Sequence, residues 1–314
     1  MSTAPAPEPW PTLDYDEIRP TVEHLHHLAQ VGGKYTLGEP FAPNWGNALM
    51  AVTPRGFATR ELHAGDVVFT VAYDLLDDRM TVTASSGRVS LPLAPGSVAD
   101  FYARFVETVE PLGIPPLRTL SQPEIPGAPP LDEDTEQRPY DPDVARRVWS
   151  AMASVQAALT AYNAPFRGHR PPAGLWWGGF DLSATRFNGR PVTPPPTHPI
   201  FMQNGMTGET VAVGFVFGDE RSPAPGFYAY ISPPPPGLDD ADFGVPEATW
   251  LPDAGLIVLP WDAVRSTDDP QATAIRFADA VYAIAVERGG WPDDLVGERH
   301  DGWYASRHPM FDRA

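Results

Sequence analysis

The chain contains no cysteine. That excludes disulfides, zinc–thiolate and iron–sulfur centres, and a cysteine nucleophile. Lysine is almost missing, with Lys34 the single example. The formal net charge is -18. Phosphate backbones and anionic membranes require clustered cations, so neither nucleic acid nor membrane is an expected partner. No run approaches the roughly 18 apolar residues of a membrane helix. The opening residues, Met1-Ser-Thr-Ala-Pro-Ala-Pro-Glu-Pro, lack the charged-then-apolar order of an export signal. A cytoplasmic location is the expectation. Also missing are a Gly-rich nucleotide loop, a Gly-x-Ser-x-Gly elbow and a His-Glu-x-x-His pair.

What is present is 314 residues with 39 prolines. At this length about 75% of the unfolded chain's surface can be buried, enough for one large domain or two joined ones. The prolines punctuate strongly periodic apolar segments, so they read as turns and edges. Residues 1–11 form a Pro/Ala leader expected to be flexible. A helix is expected over 16–31, with Ile18, Val22, Leu25, Leu28 and Ala29 inward, Pro20 near its first turn, and Gly32-Gly33 at its end. His26 and Gln30 lie at the edge of that stripe, while His24 and His27 read as surface residues. Period-two alternation then runs from Asn44 to Leu93, an antiparallel meander. Ser97 and Asp100 resemble a capping box opening a helix to Val109. Residues 111–140 are Pro-rich and acidic, an extended crossover. Asp141-Pro142 and Asp269-Pro270 each read as an N-cap followed by a first-turn proline. Between those helices lie strands over 175–187, 209–217, 226–231 and 256–259.

The order helix–meander–helix thus occurs twice. The expected fold is α+β: two similar fused layers, each an antiparallel sheet backed by helices, spanning 12–138 and 139–291, with an irregular tail over 292–314. A cleft between the halves is the natural ligand site.

The stretch Gly174 to Arg190 organises the candidate site. Read as one strand, it places Trp176, Phe180, Leu182 and Ala184 on one face. Trp177, Asp181, Ser183 and Thr185 fall on the other. Asp181 reads either as a general base or as a carboxylate tying down structure. Arg186 could clamp a substrate with it, although strict alternation opposes direct pairing without a bulge. Glu209 is either an acid–base group whose carboxyl is perturbed by an apolar face, or a strand-end residue reaching water. Tyr228 and Tyr230 share a strand face and offer ring plus hydroxyl to a ligand, or simply pack. Lys34 is either an imine-forming or anion-binding amine, or a complement to the helix dipole.

The segments 26–34, Arg55-Gly56, 97–102, 124–126, 140–142, Phe180-Asp-Leu-Ser-Ala-Thr-Arg-Phe-Asn-Gly-Arg190, Gly214-Phe215, Phe227-Tyr-Ala-Tyr230 and 259–265 resemble, in the same order, the bacterial family catalogued as domain of unknown function 5996. The resemblance implies no established activity. Members of that family often carry His where this chain has Asn44, Asn47, Gly174 and Gly208, while His26 and Glu209 match. Such a set in relatives would suit a metal. Here the imidazoles are replaced, which implies no metal and no cofactor. The resulting expectation is a small-molecule protein, with an enzyme of specialised metabolism as its leading form. Asp181, Glu209 and His26 would carry acid–base chemistry, and Trp177, Arg186, Tyr228, Tyr230 and Lys34 would contact the ligand. The alternatives are a binding module that lost its relatives' metal ligands and a metalloenzyme with atypical ligands.

Overall fold

The computed structural model describes residues 8–219 and 222–299. Helix α1 (Tyr15–Gly33) begins at Asp14, whose carboxylate accepts from the Glu17 amide at 3.1 Å. Pro20 is the sixth helical residue, a turn further in than expected. The carbonyl it leaves unbonded belongs to Asp16 on the exposed side, where water can satisfy it. Strands β1 (Leu49–Thr53), β2 (Gly56–Ala58), β3 (Leu62–Ala64), β4 (Val67–Asp74), β5 (Arg79–Ala84) and β6 (Gly87–Pro92) form the expected meander. Helix α2 (Val98–Val109) starts at Ser97, which accepts from the Asp100 amide at 3.1 Å. Helix α3 (Pro142–Asn163) is capped by Asp141.

The second half holds β7 (Gly174–Trp176), β8 (Asp181–Pro191), α4 (Ile200–Gly205), β9 (Gly208–Val216), β10 (Gly226–Ser232), β11 (Thr249–Leu251), β12 (Leu256–Pro260), α5 (Trp261–Arg265) and α6 (Pro270–Glu287). The fold class is α+β, as the sequence pattern implies.

The two halves are joined by strand pairing. Leu49 and Met50 of β1 pair with Trp176 and Leu175 of β7, making one antiparallel sheet in the order β11-β12-β10-β9-β8-β7-β1-β2-β4-β5-β6, with β3 on β4. The halves therefore meet along a backbone ladder and share one core.

Three local readings change. The leader is anchored at its described end: Trp10 stacks on Trp261 with ring centroids 5.2 Å apart, and the Trp261 indole donates to the Pro11 carbonyl at 2.9 Å. Residues 1–7 of that leader, and 300–314 of the tail, lie outside the described residues. His24 and His27 are buried, because the 111–140 crossover covers their side of α1. His27 meets Gln122 at 3.2 Å and Asp134 at 3.5 Å. Finally, the 175–187 strand is a hairpin: β7 and β8 flank a turn over residues 177–180, with Trp176 opposite Asp181. Among the described residues no helix is long and apolar enough to cross a membrane.

Candidate functional site

The turn between β7 and β8 presents Asp181. Phe180 takes φ +53°, a left-handed conformation that costs a bulky residue about 1–2 kcal/mol. Its ring is buried against Phe57, Phe217 and His26, which offsets that cost. Two side chains one turn apart on α1 hold the turn's carbonyls. His26 Nε2 donates to Gly178 O at 2.7 Å, and Gln30 Nε2 donates to Trp177 O at 3.1 Å. Burial pushes the His26 imidazole down to about 4, so it is neutral at physiological pH. Its ring lies nearly parallel to Phe180.

From Asp181 the strand alternates as the sequence implies. Leu182, Ala184 and Arg186 face the helices, while Asp181, Ser183 and Thr185 face the other way. A single cross-strand row on that second face runs Gly174, Ser183, Gly214, Tyr228 across β7, β8, β9 and β10. Its middle is small for a reason. A Cβ on Gly214 would lie 2.4 Å from Tyr228 Cζ, so the phenol ring lies flat over the glycine. That posture carries the Tyr228 hydroxyl diagonally over β9 to donate to Asp181 Oδ2. Asp181 is half-buried, as are Tyr228, Tyr230 and Trp176. Burial raises the Asp181 carboxyl to about 6, against the lowering effect of the Tyr228 hydrogen bond. Burial first, and then the Asp181 charge, push Tyr228 well above its ordinary value and Tyr230 up to about 12. The arrangement is a carboxyl poised to gain or lose a proton near neutrality, with a phenol that stays protonated.

The other expected residues lie elsewhere. Trp177 is in the turn and not on the strand, so it does not share Asp181's face. Its ring lies against Gly33, where a Cβ would approach to 2.3 Å, and its indole donates to Thr36 at 3.1 Å. Lys34 is buried 3.3 Å from Glu124 and 5.2 Å from the Trp177 ring centre. Burial lowers its amine, and the Glu124 charge opposes that. Glu209 accepts from Asn188 at 2.5 Å and lies 3.5 Å from Arg190. The β8 residues that reach it, Asn188 and Arg190, are about 23–30 Å along the strand from Asp181 at 3.3 Å per residue. Arg186 does not clamp Asp181, since the pairing of β8 with β9 runs without a bulge from Leu182 to Phe187. It enters the helix side instead, with its guanidinium 3.5 Å from the Tyr162 ring centre.

Sequence reasoning missed the Gly174–Ser183–Gly214 row, because its members sit on separate strands and only register aligns them. It also missed Gln122, Glu124 and Asp134, which reach α1 from a crossover with no periodic signal. Two clefts stand out among the described residues. One of about 310 Å³ lies within residues 239–250, and one of about 290 Å³ lies over Arg186. Neither includes Asp181, which sits on a half-open sheet face beside the β1–β7 seam. Among the described residues no three His, Asp or Glu side chains gather as a metal-binding group.

No curated protein and no solved structure matches the chain. A family model does, over residues 10–298, which takes in both halves of the sheet, the seam between them and every residue of the Asp181 face. The chain belongs to the Family of unknown function (DUF5996).

Proposed function

We propose that this is a cytoplasmic small-molecule protein that recognises a cationic, aromatic-bodied ligand at Asp181 and exchanges a proton with it. The observation that carries this reading is Asp181 itself. It is a half-buried carboxyl held near pH 6, without a cationic partner among the described residues, hydrogen-bonded to one phenol and close to a second. A carboxylate so placed attracts a ligand cation, and the rings of Trp176, Tyr228 and Tyr230 suit an aromatic body. The Tyr228 ring fills the space over Gly214, so the phenol itself forms the floor beside Asp181.

Binding without turnover is the second reading. It is favoured by the separation of the other acid–base candidates, since Glu209 lies at the far end of β8 and His26 is neutral and committed to Gly178. General acid–base catalysis at Asp181 would then rest on the Asp181–Tyr228 pair alone.

Ligand-observed NMR with benzamidine and tyramine tests the reading. Both should bind the parent protein at pH 8, weaken at pH 5 as Asp181 takes its proton, and lose binding in Asp181→Asn. Absence of binding to the parent, or equal binding to Asp181→Asn, would overturn it.

A further inference from the structure

On the opposite face of β8, Arg186 is fully buried. Its guanidinium is surrounded by rings: Tyr162 at 3.5 Å, Tyr282 at 4.7 Å and Phe166 at 5.1 Å from the ring centres. One nitrogen, Nη2, donates to the Tyr162 carbonyl. Among the described residues Nε and Nη1 have no hydrogen-bond partner, and neither has the Tyr282 hydroxyl. Ring faces attract a guanidinium's charge, but they do not accept the N–H donors that lie in its plane. Arginine cannot shed its proton to escape, so a buried one requires a counter-charge. The Asp279 charge favours the guanidinium from nearby, but its carboxylate is hydrogen-bonded to Arg299 at 3.0 Å and makes no hydrogen bond or ion pair with Arg186.

The cleft of about 290 Å³ lies over this group, lined by Pro165, Arg186, Asp279, Tyr282, Val296, Gly297 and Arg299. That volume is at the small end of ligand sites, which run from about 300 Å³ upward. Two guanidiniums against one carboxylate leave a single positive charge in the lining. The unmatched groups are donors, and Pro165, Val296 and the Tyr282 ring supply apolar wall.

We propose that this cleft binds a small organic monocarboxylate with an apolar body, its oxygens taken by Arg186 and the Tyr282 hydroxyl. A dianion such as phosphate is disfavoured by Asp279 in the lining and by Asp294, whose charge acts on Tyr282. The inference is separate from the Asp181 reading, since the two sites lie on opposite faces of one strand.

Calorimetric titration of the full chain with hexanoate, benzoate and inorganic phosphate, each to about 10 mM, decides it. Hexanoate and benzoate should bind saturably and phosphate should not. Arg186→Met should abolish binding, and Arg299→Glu should weaken it. Tyr282→Phe, which removes a hydroxyl with no partner among the described residues, should weaken binding about two- to tenfold, the worth of one hydrogen bond. It should do so without lowering the thermal midpoint of the ligand-free protein, a combination that a merely structural tyrosine would not give. No saturable carboxylate binding, preference for phosphate, or undiminished binding by Tyr282→Phe or Arg299→Glu would overturn the proposal. These two milder variants keep the test decisive if Arg186→Met fails to fold.

Discussion

Asp181 and Arg186 stand five residues apart on one strand, on opposite faces, and both are ionisable groups withdrawn from water. The sheet handles them differently. Asp181 is given a phenol donor, and burial moves its carboxyl to about 6, so the group can become neutral when ionisation is too costly. Arg186 is given three rings and one carbonyl, and burial lowers its guanidinium too, but from a starting point so high that it stays charged. An acid can relieve burial by taking a proton. A guanidinium can relieve it only by finding an anion. That contrast is why one face of β8 offers proton exchange and the other offers an anion site.

The largest effects should come from breaking the Arg186 side of this comparison. Arg186→Met and Arg186→Ala remove the same charge and differ in how much space they leave among Tyr162, Phe166 and Tyr282. Alanine should be less stable than methionine by about 2–5 kcal/mol, the cost of the extra cavity. Methionine should match the ligand-free parent or exceed it by up to about 4 kcal/mol, since replacing buried charges with apolar volume is often stabilising. Urea denaturation of all three proteins measures both differences. If methionine falls as far as alanine, the rings and the Tyr162 carbonyl already satisfy the guanidinium, and the contrast with Asp181 collapses.

The next effect sharpens the Asp181 side. Its carboxyl ionises near 6 in the fold and near 3.9 in an unfolded chain, so the folded state holds the proton more tightly. The contribution to stability is therefore fully present at low pH and is lost as pH rises from about 4 to about 6. Above that window the ionised group costs the fold on the order of 2–3 kcal/mol. Asp181→Asn keeps an oxygen for the Tyr228 hydroxyl and has nothing to ionise. Its stability relative to the parent should climb across pH 4 to 6 and then level off. His26 works in the opposite sense. Its imidazole is lowered from 6.5 to about 4, so its contribution is present above about 6.5 and is lost as pH falls through 4. Because both proteins contain His26, the difference between their profiles isolates Asp181.

Much of this contrast is legible in the sequence, for a simple reason. Side-chain alternation along an unbulged strand is geometric, so the order of residues alone assigns Asp181, Ser183 and Thr185 to one face and Leu182 and Ala184 to the other. Helix starts are equally local: Ser97, Asp141-Pro142 and Asp269-Pro270 announce themselves through their own backbone chemistry. What is not legible depends on partners remote in the chain. Nothing near Leu49 indicates that β1 pairs with β7 rather than ending a separate sheet. Nothing near His24 or His27 shows that residues 111–140 will cover them. Strand β11, three residues long, is too short for any period to appear. Tyr162 and Tyr282 look like ordinary inward helix positions until α3 and α6 bring them onto Arg186. Glu209 shows the same limit from the other direction. Alternation marks its strand, but its distance from Asp181 depends on which β8 residues it meets.

Glu209 therefore supplies the smallest effect and the sharpest control. It is a carboxylate near the same strand as Asp181, but it is bonded to Asn188 and paired at 3.5 Å with a half-exposed Arg190. An ion pair reaching that far into solvent contributes little, so Glu209→Gln should change stability by no more than about 0.5–1 kcal/mol. The glutamine side chain retains an oxygen for the Asn188 amide, which leaves the local geometry intact. The informative quantity is ligand binding rather than stability. Glu209→Gln should bind benzamidine as the parent does, and Asp181→Asn should not. If both variants lose binding equally, recognition belongs to the negative charge of the sheet in general. Asp181 then loses the single property that sets it apart, its place beside the phenols as the carboxylate that a cation would meet.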